Sequence, residues 1–439
     1  MAAVSGRSQI SARTRTCTRS RRSSSTTSPH SVGTVPRVRT ATVDFLENTD
    51  EFDREDAKKA IKGNVCRCTG YEKILDAIET LDEETDADRD SPSAQSNRTL
   101  GTTASQSISW WSLRPIAMAN QPSFGIVLPH FGPHCNRDFI VDTAKQAETL
   151  GFDSVWARDH LYVPPENKEH GGIVEQRFAE AMQVLSHLAA VTDDLTLATG
   201  SLNPHRHPLK LSQCIGSLEY LSTGDVLCAI GAGTFKGEFD AVDLPFDERG
   251  RLVEENLEIL RRTFREENVD YEGDHFAFEN VTIDPRPGDS VPLWYGGLSP
   301  FAVRRAVEYA DGWYPGRMTL EKLDQRLEQL HSLEAEHDRS LDLGYLSIYS
   351  VAPETDEAIS HLNTEELVHD VNTILRTDHS SLDDIEGSYI AGDPETCIEQ
   401  IQALVDRGFD HIVLDMRNSF DELESMMELT ADEVLPAFR

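Results

Sequence analysis

Eight short runs rich in β-branched and aromatic residues punctuate the chain from Phe124 onward: FGIVLP, DSVWA, LTLATGS, GDVLCAIGAG, VPLWYGG, DGWYPG, LGYLSIYSV and DHIVLDM. Between them lie stretches with the apolar spacing of amphipathic helices, among them FIVDTAKQAETLG, QRFAEAMQVLSHLAAVT, LKLSQCIGSLEYLST, RGRLVEENLEILRRTF and ETCIEQIQALVDRG. Strand and helix in alternation is the pattern of βα units feeding a parallel sheet. Eight such units over about 320 residues suit an α/β fold of the (β/α)8 TIM-barrel type, whose usual length is about 250 residues plus insertions. The acidic stretch Glu266–Pro287 interrupts the alternation and reads as one insertion, a hairpin.

A barrel of this kind places its reactive residues in the loops that follow the strands, because the strand C-termini open onto one face. His130 follows the first run; Arg158, Asp159 and His160 the second; Asn203, His205, Arg206 and His207 the third. The fourth ends in GAGTFKGEF, the fifth in GGLSP; the sixth brings Trp313 and Arg317, and the eighth Asp415 and Arg417. The histidines lack carboxylates at ligand spacing, and no H-E-x-x-H pair occurs, so no metal is expected among them. His160, His205 and His207 read as hydrogen-bonding and acid/base groups, with solvated loop positions the alternative for His205 and for His134. GAGTFKG is not a P-loop, since its lysine is misplaced and no Ser or Thr follows it. Glycines directly after a buried strand let a flat ring or a phosphate approach the backbone. In YGGLSPFAV, Gly-Gly and Ser299 stand just ahead of a helix, where free N–H groups and the helix dipole favour one phosphate.

The remaining sequence divides differently. Residues 1–42 are Arg/Ser/Thr-rich, with eight arginines and no acid or lysine in the first 40 positions, and are expected to be disordered. The switch at Asp44 to acidic, helix-patterned sequence reads as a shifted frame or degraded gene start rather than a transit peptide. Residues 43–82 hold two helical patterns, 83–117 a polar linker, and 118–439 the barrel domain. Overall, 76 acidic residues face 41 Lys and Arg, a net charge of −35. Such a surface repels nucleic acid and anionic membrane and is most comfortable where salt screens it, as in the cytoplasm of a salt-loving microbe. No apolar run approaches the ~20 residues of a membrane span, and seven cysteines without regular spacing imply no disulfide framework.

From about Ser123 to Phe438 the chain resembles the bacterial-luciferase-like oxidoreductases, TIM barrels that use FMN or the deazaflavin coenzyme F420. The resemblance rests on GFDSVWARDHL, NPHRHPLKLSQCIGSLEYLSTGDVLCAIGAG, GEFDAVDLPFDERGRLVEENLEILRRTF, VPLWYGGLSPFAVRRAVEYADGW and AGDPETCIEQIQALVDRGFDHIVL, in the family's order. It implies that Thr199, Gly200 and Ser201 form the bulged segment behind the ring, a place where a non-prolyl cis peptide can occur, with Gly231 and Gly233 beside it. It assigns the cofactor phosphate to Gly296, Gly297, Leu298 and Ser299, and proton transfer to His160. The Asp-His pair in RDHL matches the deazaflavin branch, where many FMN members show Glu-His-His, and so favours F420. Where many relatives carry a large aromatic or an acid after GAG, this chain has Thr234 and Phe235; Glu238 and Phe239 match the family and read as loop supports. The implied reaction is hydride transfer to or from a small organic substrate. An FMN-dependent monooxygenase served by a flavin reductase is the alternative, and relatives are often homodimers.

GNVCRCTGYEKILDAI resembles the helical half of the [2Fe-2S] subunits of molybdenum hydroxylases, between about Phe45 and Leu81. That family holds its cluster with a C-x-x-C pair plus a later C-x-C. Here Cys66 and Cys68 supply the second pair and only Cys17 precedes them, an incomplete set that reads as a remnant. An iron–sulfur electron-transfer module is the rival reading.

Overall fold

The computed structural model describes residues 121–164 and 177–439; the expectations for residues 1–117, Cys66 and Cys68 included, lie outside the described residues. Eight parallel strands close into a ring: β1 (Ser123–Val127), β2 (Ser154–Ala157), β3 (Thr196–Leu202), β4 (Val226–Gly231), β7 (Leu293–Gly296), β8 (Gly312–Tyr314), β9 (Asp342–Val351) and β11 (His411–Asp415). The ring closes where Ser123 pairs with His411 and Gly125 with Val413. These strands correspond to the eight β-branched runs. The anticipated hairpin is also present, as antiparallel β5 (Val269–Glu272) and β6 (Ala277–Val281).

Helices cover the ring's outside: α1 (Arg137–Leu150), α2 (Ala181–Leu188), α3 (Pro208–Leu221), α4 (Lys236–Ala241), α5 (Arg249–Arg265), α6 (Pro300–Tyr309), α7 (Leu320–His337), α8 (Thr355–Ser360), α9 (Thr364–Leu375), α10 (Pro394–Val405) and α11 (Leu423–Leu429). Their starts follow ordinary capping chemistry. Asn136, Ser299, Thr319 and Asp393 each accept a hydrogen bond from the backbone N–H three residues on. Helix α2 begins later than its apolar spacing suggests, because Phe178 is held in a bridge to Phe131. Buried Glu255 on α5 accepts from the N–H groups of Asp274, His275 and Phe276, which fixes the hairpin turn onto the barrel wall.

Two features lie beyond the eight-run pattern. A short strand, β10 (Tyr389–Gly392), pairs with the C-terminal half of the ten-residue β9. The α8–α9 segment packs a separate apolar cluster around Ile348, Leu362, Leu367 and Val371. Inside the ring, aromatic rings fill the space. Trp156 stacks on Tyr314 with centroids 4.7 Å apart, and Trp294 lies 6.1 Å from Trp156. Glycines face these rings: a Cβ at Gly344 would come within 2.3 Å of Trp294, and one at Gly312 within 2.4 Å. No helix among the described residues is long and apolar enough to cross a membrane.

Candidate active site

Most of the expected residues follow strand C-termini, and three adjoining strand ends, those of β3, β4 and β7, meet there. Strand β3 departs from regular register between Thr199 and Leu202, and the Gly200–Ser201 peptide is cis. Thr199 Oγ1 donates to Ala229 O at 3.0 Å and accepts from Ala229 N at 2.8 Å, which locks this irregular stretch to β4. Next along the ring, Gly231 pairs with Gly296. Ser201 closes the group: a Cβ at Gly296 would stand 2.5 Å from its Oγ, and one at Gly231 3.3 Å from its Cβ. The three strand ends therefore meet without room for a side chain at Gly296 and with a tight fit at Gly231. Gly233 adopts φ +82°, a left-handed turn that suits glycine, and leads into the loop before α4.

The turn after β7 is braced from outside. Trp313 Nε1 donates to Gly297 O at 3.0 Å and Arg326 Nε to Leu298 O at 3.0 Å. Ser299 caps α6 by accepting from Ala302 N. Trp313 itself is buried in β8. This corrects its expected place at the mouth; strand alternation puts Tyr314, one residue on, against the interior rings instead.

His160 lies at the rim, with its side chain 10 % exposed. Its Nδ1 is 3.1 Å from Glu238 Oε2, its ring stacks on Phe235 at 4.9 Å, and Phe178 meets it edge-on at 5.4 Å. The second oxygen of Glu238 accepts from Leu161 N at 2.6 Å. Fully buried Glu238 thus supports the loop, as expected, and also fixes the His160 ring. A carboxylate oxygen accepts, so Nδ1 is the donor of this pair and Nε2 takes no part in it. Nothing in the spacing of GEF from RDHL signalled this pairing.

The neighbouring Asp159 organises the loop after β3. It accepts from Asn203 N at 2.9 Å and from both Nη atoms of Arg206, which also reaches Glu180. Burial alone would lower the Arg206 pKa, but the two carboxylates more than offset it and raise it.

The histidines divide in role. His207 is spent as the N-cap of α3, accepting from Leu209 N, and its ring packs on hairpin residue Phe276; it is not an acid/base group of the pocket, a correction. His205 is half-buried rather than solvated: it packs edge-on against Phe239, its Nε2 is buried without a partner, and burial lowers its pKa. His130 is fully buried, with Nδ1 3.0 Å from Leu128 O and Nε2 2.9 Å from Arg158 O, so it ties β1 to the loop after β2. Among the described residues no group of three His, Cys, Asp or Glu is placed to hold a metal ion.

A sequence model of the luciferase-like monooxygenase family matches residues 123–411. The chain belongs to that family. A second model, the [2Fe-2S] binding domain, matches residues 36–79, which contain Cys66 and Cys68. Among relatives of this luciferase-like chain, the F420-dependent glucose-6-phosphate dehydrogenase of Intrasporangium calvum is 28 % identical over 334 residues, covering 70 % of this chain and 96 % of the relative. The 5,10-methylenetetrahydromethanopterin reductase of Methanopyrus kandleri is 26 % identical over 365 residues, covering 72 % and 99 %. An F420-dependent secondary alcohol dehydrogenase, solved with an F420-acetone adduct, superposes with a TM-score of 0.62 at 22 % identity, covering 73 % of this chain and 99 % of the other. That superposition shows the shared luciferase-like barrel.

Proposed function

We propose that this luciferase-like oxidoreductase binds coenzyme F420 and transfers hydride between that cofactor and a small organic substrate, with His160 exchanging the accompanying proton through Nε2. The observation that carries this reading is the meeting of Ser201, Gly231 and Gly296 on adjoining strand ends, on the same rim as the His160–Glu238 pair. The F420-dependent relatives support the choice of cofactor.

The residues present fit such a cofactor. Gly231 and Gly296 bring two strand ends close together with only the small Ser201 side chain between them, a low surface that a flat ring can approach, with Thr199 and Gly200 preceding Ser201 on β3 and Gly233 following Gly231. Gly296, Gly297, Leu298 and Ser299 precede a helix whose first turn favours an anionic tail. When bound, the deazaflavin supplies a two-electron hydride donor or acceptor at its C5. The chain's own part is to hold that surface rigid through Thr199 and Ala229. Glu238 keeps the His160 proton on Nδ1, and the rings of Phe178 and Phe235 flank the imidazole and limit water there.

FMN is the competing cofactor within the family. Titration of the purified chain with F420 and with FMN, followed by absorbance and fluorescence, decides between them. Saturable F420 binding with weak or no FMN binding is expected; tight FMN binding with none for F420 would replace the reading by the monooxygenase one. The proposal extends to a homodimer working in a salt-rich cytoplasm without nucleic-acid or membrane partners, consistent with the net charge of −35.

A further inference from the structure

Three arginines enter the barrel mouth from three strands: Arg158 directly after β2, Arg317 after β8 and Arg417 after β11. Their counter-charges are uneven. Arg417 is clamped to fully buried Asp415 through Nε at 2.8 Å and through Nη2, and Arg317 Nη1 reaches Asp370 on α9 at 3.3 Å. Among the described residues Arg158 has no such carboxylate. Its guanidinium lies 5.3 Å over the Phe131 ring, and its Nη1 is buried without a hydrogen-bond partner. The Tyr314 hydroxyl, also buried, likewise lacks a partner among the described residues. Arg317 and Arg417 line one cavity together with Asn363, Asp370 and Asn418; Glu366 lines it too, held by Asn363 at the start of α9.

Buried cations without matching anions are costly unless something pairs with them. Burial, then the mutual opposition of the guanidinia, lowers Arg158 and Arg317 from the usual arginine range. Burial would raise Asp415, yet Arg417, Arg158 and Arg317 together bring it below the usual carboxylate range, so that acid is already committed. The three guanidinia share the mouth with Asp415, Asp370 and Glu366, and Arg158 is the one without a carboxylate partner among the described residues. The cluster also borders β3: the Tyr314 hydroxyl stands 3.3 Å from the position of a Cβ at Gly200.

We propose that Arg158, Arg317 and Arg417, with the Tyr314 hydroxyl, receive an oxyanion of the substrate, making the substrate a small organic carboxylate or phosphate ester. This names the substrate class of the reaction proposed above and rests on that reading. Guanidinium forks suit both groups because each offers paired oxygens.

The test uses the full chain, with and without saturating F420, at constant ionic strength. Inorganic phosphate and acetate are titrated against wild type, with glycerol as a neutral control, and binding is followed by calorimetry and thermal unfolding. Phosphate or acetate is expected to bind and raise Tm while glycerol does not, and the tighter of the two anions tells phosphate ester from carboxylate. R158M and R317M are each expected to weaken that anion at least tenfold while changing the F420 Kd by less than threefold. Without anion, R158M is expected to unfold at the same or a higher temperature than wild type, and R158K to retain part of the anion affinity. The proposal is overturned if neither anion binds wild type, if anion binding is indifferent to Arg158, or if R158M abolishes F420 binding instead. Should wild type bind the anion through Arg158 yet refuse F420, the cofactor reading fails and the clamp stands.

Discussion

At the scale of single residues, the decisive pair is His160 with Glu238. Nδ1 faces a carboxylate 3.1 Å away, which leaves Nε2 for the proton exchange proposed above. His160→Ala is expected to lower kcat by about 10²–10⁴-fold, the usual contribution of a positioned acid/base group, with F420 binding retained. Glu238→Gln is the sharper probe. Its amide oxygen can still accept from Leu161 N, so the loop keeps its anchor, while its NH2 group turns toward His160 and makes Nδ1 an acceptor. The proton then moves to Nε2. A fall in kcat of up to about 10⁴-fold is expected, as when an amide replaces the carboxylate that holds a catalytic histidine's tautomer, together with an inverted tautomer in the 15N spectrum of the imidazole. Unchanged tautomer and rate would reduce Glu238 to a loop support. RDHL pointed to His160 through its resemblance, and GEF pointed to a support, but their contact spans 78 positions and depends on the barrel bringing β2 and β4 loops together. Likewise the sequence around His207 suits a pocket residue as well as the α3 cap it proves to be, because a histidine before Pro-Leu-Lys-Leu satisfies either role.

At the scale of elements, the barrel depends on matching large rings to missing side chains. Gly312 and Gly344 both face Trp294, with a Cβ at either position falling far inside contact distance. Interiors packed this closely have little slack. Gly344→Ala is therefore expected to destabilise the domain by about 1–3 kcal/mol, the ordinary cost of overpacking. A lower urea midpoint with unchanged slope would register it; an unchanged midpoint would mean that the tryptophan has room to move. The eight strands were legible because each is a run of β-branched or aromatic residues bounded by turns and followed by helical spacing. β10 was not, because its four residues end in Gly392 and blend into the Asp-Pro cap of α10. The tryptophan-to-glycine matching was equally hidden: Trp294 and Gly344 are brought together only by ring closure, and nothing local in LGYLSIYSV distinguishes its glycine from a turn residue.

At the scale of the whole molecule, charge is the property read most directly from composition and least visible in any one contact. The ion pairs of the described residues are mostly exposed, such as Lys236–Asp240 and Arg251–Asp274, and exposed pairs contribute little each. What remains is the diffuse repulsion of a chain with a net charge of −35. That repulsion acts over a screening length of about 10 Å at 0.1 M salt and about 3 Å at 1 M. Neighbouring surface carboxylates thus feel one another in dilute buffer and scarcely at all in concentrated salt. Unfolding spreads the same charges apart, so the folded state gains more from screening than the unfolded one. Raising KCl from about 0.1 M to about 1 M is accordingly expected to raise Tm progressively, with the steepest gain at the low end where the screening length changes most. A neutral osmolyte at matched osmolality should not reproduce that steep initial rise, because exclusion from the surface strengthens burial without touching charge. A Tm that is flat or falls between these concentrations would show that local packing, not surface repulsion, limits stability, and would remove the physical ground for assigning the chain to a salt-rich cytoplasm.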